Sequence, residues 1–133
     1  MAADLDYAYL AEFARTQDGT ITSVGASFTQ TRSSGFPAMM ELYVAGRIRR
    51  PEDEAAPTVS IEVRGPGESP AIEFAATLED TEDAVKYDGK IGTVFVFSGP
   101  LILSAPGIYE CRISVDGEYV RRLAFEALTP QDH

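Results

Sequence analysis

Between residues 58 and 128 of this 133-residue chain, apolar and polar side chains alternate step by step, and this repeat constrains the fold most tightly. In "TVSIEV" the apolar positions are Val59, Ile61 and Val63, with Ser60 and Glu62 between them. "AIEFAATL" repeats the pattern with Ile72, Phe74, Ala76 and Leu78, and "GIYECRISV" with Tyr109, Cys111, Ile113 and Val115. Earlier in the chain, "MMELYVAGRI" turns Met40, Leu42, Val44 and Ile48 to one side. A repeat of two is that of a strand burying one face. "IGTVFVFS" is apolar on both faces, as in a strand at the middle of a sheet or under a loop, so Phe95 and Phe97 are expected to line an interface or a second core.

Turn chemistry separates these runs. Asp18-Gly19 and Asp116-Gly117 each lie between alternating segments, a strong hairpin signal, and Asp88-Gly89, Gly65-Pro66-Gly67 and Pro106-Gly107 punctuate the remainder. The segment "LDYAYLAEFARTQ" fits two periods: Leu5, Tyr9 and Phe13 recur at helical spacing, and Leu5, Tyr7, Tyr9, Ala11 and Phe13 alternate. The Asp-Gly turn and the β-rich "TITSVGASF" that follow favour the strand. The expected strands cover 5–15, 20–29, 38–48, 58–64, 71–79, 91–98, 107–115 and 118–128. About eight short strands so spaced predict an all-β fold, a single antiparallel β-sandwich of immunoglobulin-like type. One domain spans 1–133, with a polar tail at 128–133.

Composition narrows the function classes. A hydrophobic content of 44% in 133 residues is enough for a core without staples. The formal net charge of -10 repels phosphate backbones and anionic membrane surfaces, so neither is an expected partner. A single cysteine leaves no internal disulfide and no Cys-rich zinc site. Acidic residues stand where an export signal carries basic ones, and no apolar run reaches membrane-spanning length, so the expected location is cytoplasmic.

"SAPGIYECRISVDG" resembles the penultimate strand of immunoglobulin-like sandwiches, in which a small-residue turn precedes Tyr-x-Cys. The resemblance implies that the Tyr109 hydroxyl reaches upstream backbone and that Cys111 fills core volume as a free thiol. The tryptophan and partner cysteine of antibody-type domains are absent, so the likeness is to the architecture. The two ends of the chain, "LDYAYLAEFARTQDGTITSVGASF" and "PGIYECRISVDGEYVRRLAFE", also resemble a family of small uncharacterised bacterial all-β proteins. Its members open on a "..A...R...G.L...G" hairpin and close on "PG.Y...L..DG". That resemblance implies a bacterial cytosolic setting and supplies no catalytic residue.

Side chains with reactive chemistry are sparse. His133 is the only histidine and the last residue, a poor position for a rigid imidazole. Cys111 alternates with core positions and lacks the exposure of a reactive thiolate. "RGPGES" has two glycines but no phosphate-loop lysine. Arg47, Arg49 and Arg50, with Arg121 and Arg122, are the main basic clusters, available for cross-strand pairing, for a modest anion-binding spot, or simply for solvation. Glu52, Asp53 and Glu54 occupy one acidic loop and Asp80, Glu82 and Asp83 another. Simple alternation of strand direction puts both loops at one pole with the Asp18-Gly19 and Asp116-Gly117 turns. Hard cations take six to eight oxygens, so these carboxylates are the candidates for a weak Ca²⁺ site.

No catalytic residue and no cofactor are expected. The leading expectation is a non-enzymatic binding or assembly module that meets a protein partner or a second copy through a sheet face, an edge strand or the loop pole. Outward-pointing Tyr43 is one candidate contact. The alternative is a calcium- or carbohydrate-binding sandwich.

Overall fold

A computed structural model describes residues 3–66, 72–79 and 85–130. Among these there is no helix, and hence none long and apolar enough to cross a membrane. The strands are β1 (Asp4–Ala11), β2 (Phe13–Gln17), β3 (Thr20–Val24), β4 (Gln30–Arg32), β5 (Ala38–Pro51), β6 (Thr58–Arg64), β7 (Ile72–Thr77), β8 (Val85–Tyr87), β9 (Lys90–Leu103), β10 (Gly107–Val115) and β11 (Glu118–Leu128). They form a four-stranded sheet of order β1-β5-β9-β8, a five-stranded sheet of order β4-β11-β10-β6-β7 and the β2–β3 hairpin.

Alternation explains the burial. Leu42, Val44 and Ile48 of β5 and Phe95 of β9 lie in one hydrophobic cluster with Val59, Ile61, Val63, Cys111, Ile113 and Phe125 of the five-stranded sheet. Full burial of each large side chain in such a cluster contributes about 1.5–3 kcal/mol. Tyr109 belongs to it too. Its hydroxyl donates to the Ala105 carbonyl at 2.8 Å, and its ring stacks on Phe125 at 5.4 Å. Gly65 makes room for that ring, because a β-carbon there would collide with it. Cys111 is a fully buried free thiol, pushed up to about 12 first by burial and then by the neighbouring Glu110 charge.

The structure corrects several expectations. There are eleven strands among the described residues, not about eight. The expected strand at 5–15 breaks at Glu12 into β1 and β2, and that at 20–29 ends at Val24, where Gly25 (φ 64°) and Ser27 (φ 65°) turn the chain. β4 and β8 are additional, and β5 and β9 are longer than expected. Nor is the fold wholly antiparallel, for β4 runs parallel to β11. The reason is a change of sheet. The Ser27 N–H holds the Leu10 carbonyl at 2.6 Å, while the Thr29 carbonyl accepts from Glu126 at 2.8 Å, so the chain leaves β1 and continues beside β11.

The hairpin supplies a second, smaller core. Ala11, Ala14 and Ala45 are buried together, with Tyr9, Ile21, Tyr43 and Val96 packed around them. Three alanines let the hairpin backbone lie close against the outer face of the four-stranded sheet. This accounts for the two-sided apolarity of β9: Phe95 and Phe97 face the larger core and Val96 the smaller one. Tyr43 does point outward, but Phe13 of the hairpin covers it at 5.4 Å between ring centroids.

Candidate functional site

The described residues of the acidic loops lie in neighbouring turns. Glu52 N–H donates to the Gly89 carbonyl at 3.3 Å and Glu54 N–H to the Pro51 carbonyl at 3.2 Å. Asp116 Oδ1 accepts from Thr58 N–H at 2.9 Å, which makes it a turn brace. Asp80, Glu82, Asp83 and His133 lie outside the described residues. Among the described residues, no three His, Cys, Asp or Glu side chains are grouped to hold a metal ion.

Two other places concentrate chemistry, and both lie on the four-stranded sheet. The first begins with a β-bulge. Register slips between Leu5 and Tyr7, so Leu5 opposes Ile48 while Tyr7 opposes Arg47, and Asp6 is the extra residue. A bulge re-aims side chains. Here it brings the Asp6 carboxylate to Arg47, with Nη1 to Oδ2 at 2.8 Å, and to Arg49, with Nε to Oδ1 at 3.6 Å. Tyr87 of β8 joins them. The Arg47 guanidinium lies 5.2 Å from its ring centre, and Arg49 Nη1 donates to its hydroxyl at 3.5 Å. Gly92 is the seat of this arrangement, since a β-carbon there would collide with the Arg47 guanidinium.

Electrostatics follow from that geometry. Hydrogen bonding to Arg47, and next to Arg49, holds the Tyr87 phenol below the usual tyrosine range. Burial raises Tyr7 above it, against the opposing pull of Arg47. Arg49 Nε is buried without a hydrogen-bond partner among the described residues. Beside the cluster opens a cavity of about 530 Å³, lined by Tyr7, Tyr9, Thr20, Ile21, Arg47 and Val85 among others.

The second place is the free edge of β9. β8 pairs with β9 only from Lys90 to Gly92, so the edge beyond it has no strand partner among the described residues. The two-residue Asp88-Gly89 turn, with φ 53° and 73°, is of the hairpin kind whose flanking residues are hydrogen-bonded to each other. Tyr87 and Lys90 are that pair. Strand groups alternate sides, so Gly92, Val94, Val96 and Ser98 all turn their N–H and C=O away from β5. Pro100, without an N–H, ends the row where a missing donor does least harm. A cavity of about 450 Å³ runs along this edge, lined by Thr93 to Phe97, by Ala76 to Glu79 and by Thr16. Thr93 Oγ1 is buried there with no hydrogen-bond partner among the described residues.

The outer face of the five-stranded sheet carries Arg64, Arg112 and Arg122. Glu110 accepts from Arg122 Nε at 2.6 Å and from Arg112 Nε. Arg64 Nε meets Glu62 at 3.0 Å. Arg50 turns to its own loop, with Nε donating to the Glu54 carbonyl at 3.0 Å. Of the sequence-level candidates, then, Arg47 and Arg49 come together, whereas Arg50, Arg121 and Arg122 do not join them. Asp6, Tyr7 and Tyr87 are what sequence reasoning missed. The only signal was the two-residue spacing of Arg47 and Arg49, which puts both on one strand face.

The model of a family of unknown function, DUF6941, matches residues 6–127. The chain belongs to DUF6941. The DUF6941 match takes in the Arg47 cluster and the whole of β9. No curated protein matches the chain. Among solved structures, this DUF6941 member is similar to a beta-glucosidase from Listeria innocua in complex with glucose, at 11% identity and a TM-score of 0.49 over 75% of this chain. A second structure of beta-glucosidase from Listeria innocua gives a TM-score of 0.46 at 11% identity over 76% of this chain. The chain spans 15% of the length of either glucosidase, and likenesses of this size say nothing of shared chemistry.

Proposed function

We propose that this chain is a non-enzymatic assembly module, an immunoglobulin-like sandwich that joins a second copy of itself through the edge of β9 that has no strand partner among the described residues. The observation that carries the reading is the row of backbone groups at Val94, Val96 and Ser98. Unpaired strand edges are templates for another strand, and natural proteins blunt them with charge, bulges or cover. This edge has none of the first two. Residues 91–109 contain no charged side chain, in a chain whose formal net charge is -10. Two copies repel each other over most of their surfaces but oppose no like charges when β9 meets β9.

The immunoglobulin-like part of the proposal draws on strand order. A β1-β5-β9-β8 sheet beside a β4-β11-β10-β6-β7 sheet corresponds to A-B-E-D beside A′-G-F-C-C′. Tyr109 then occupies the penultimate strand, with its hydroxyl bonded four residues upstream.

Light scattering after size exclusion tests the assembly. A dimer is expected, strengthened by added salt as repulsion is screened. Ser98→Pro removes one outward N–H at an exposed position without touching the β5 ladder, and should leave a monomer of unchanged fold. A wild-type monomer at the highest attainable concentration, with rapid amide exchange at Val96, overturns the proposal.

A further inference from the structure

The Arg47 corner is not needed for pairing at β9, and its construction points elsewhere. Three separate irregularities converge on it. The bulge carries Asp6 and Tyr7 to the outer face, Gly92 leaves space for a guanidinium, and the β2–β3 hairpin roofs one side through Thr20 and Ile21. Chains keep such departures from regular geometry where they hold a site.

The charges are also unusual for so acidic a protein. Both lysines of the chain, Lys86 and Lys90, flank this corner, and Lys90 stands opposite Tyr87 in the β8–β9 register. Against Arg47, Arg49 and Lys90 stand Asp6, which pairs with both arginines, and Asp4, which opposes Arg49 in register. Asp88 lies in the turn between Tyr87 and Lys90, so the corner as a whole is of mixed charge, and Arg47 is the one charged side chain among the described residues that line the cavity. Arg47 has five N–H donors in a planar fork, more than Asp6, which engages Nη1, and Tyr87, over whose ring the fork lies, can take up, whereas Arg49 Nε is turned to Asp6 at 3.6 Å. Arginine forks suit carboxylates, with which they form paired charge-assisted bonds.

The rest of the wall selects what the carboxylate is attached to. Tyr7 and Tyr9 stack at 6.3 Å with rings 17° apart, and Ile21, Val85 and Val94 complete an apolar lining. We infer that the cavity between the β2–β3 hairpin and the outer face of the four-stranded sheet binds a small aromatic carboxylate, its carboxyl on Arg47 and its ring against Tyr7, Tyr9 and Ile21. A bare phosphate would satisfy the arginines and leave the apolar wall unused. A neutral aromatic would do the reverse.

Titration of the full chain with benzoate, benzamide and inorganic phosphate, followed by amide and methyl chemical shifts, separates these. Benzoate should saturate the site and shift Ile21, Val85 and Val94, with benzamide silent and phosphate at least about tenfold weaker. Arg47→Gln should weaken benzoate by about tenfold or more, as loss of a charge-assisted pair does. Val85→Glu, at an exposed rim position, sets a like charge beside the site and should weaken binding without disturbing the fold. Arg112→Gln on the other sheet should leave it unchanged. Absence of saturable benzoate binding overturns the inference, as does phosphate binding equal to benzoate or benzoate binding that survives both Arg47→Gln and Val85→Glu.

Discussion

The outer faces of the two large sheets use the same residue types to opposite ends. On the five-stranded sheet, Arg112 and Arg122 are direct cross-strand neighbours, a repulsive pairing by itself. Glu110 accepts from both, Arg64 takes Glu62, and the face is charge-matched and open to solvent. On the four-stranded sheet, Arg47 and Arg49 share Asp6 and turn to a tyrosine for the remainder, under the partial cover of a hairpin. The first arrangement needs only alternating strands. The second needs a bulge, a glycine and a third layer.

The largest expected difference between the faces comes from adding charge to each. Ala45 is fully buried beneath the hairpin, so Ala45→Glu strands a carboxylate without a partner and should cost about 3 kcal/mol or more. Ser60→Glu, on the outer face of the five-stranded sheet, should fall within about 0.5 kcal/mol. Equal urea midpoint shifts for the two variants would erase the distinction drawn here. Next in size is Gly92→Val, which displaces the end of the flexible Arg47 side chain and is expected to cost about 1 kcal/mol. It should also return Tyr87 towards ordinary titration, a readout that simple overpacking would not produce.

Between the two faces, the core sets a scale. Tyr109→Phe deletes the hydroxyl bond to Ala105 and should cost about 1 kcal/mol in chemical denaturation, with no change at the Arg47 corner. The smallest effects are protonic, and they differ in pH window between the faces. Hydrogen bonds from Arg122 and Arg112 hold Glu110 below the usual carboxylate range, and one from Arg64 does the same for Glu62. Their folded values are depressed, so their contribution is present at neutral pH and is lost as pH falls through those values. Tyr87 is depressed too, by Arg47 and Arg49, so its ionisation favours the fold and appears on the alkaline side. Ultraviolet titration should find one phenol ionising ahead of the usual range, and Tyr87→Phe should remove that step alone.

Much of the architecture was readable from local pattern. The alternation in "TVSIEV" and "GIYECRISV" places Val59, Ile61, Val63, Cys111 and Ile113 in the core because side-chain direction along a strand is a local property. The Asp-Gly pairs at 18–19, 88–89 and 116–117 all adopt positive φ, as their chemistry allows. Cys111 as a buried thiol followed from the same parity argument. What stayed hidden was where strands break and what lies across them. Nothing in "LDYAYLAEF" announces that Asp6 is a bulge or that Glu12 separates two strands, because both depend on the register against β5. The covering of Tyr43 by Phe13 is equally non-local, set by how the hairpin folds back over the sheet.

The residues by themselves determined an all-β chain with an apolar interior and a charged exterior, since periodicity and turn chemistry act within a few positions. Tertiary structure alone decided that Asp6, Arg47, Arg49 and Tyr87 meet, and that among the described residues β9 has no strand partner at its outer edge beyond Gly92. Those outcomes depend on strand order and register, which arise from pairing between segments far apart in the chain.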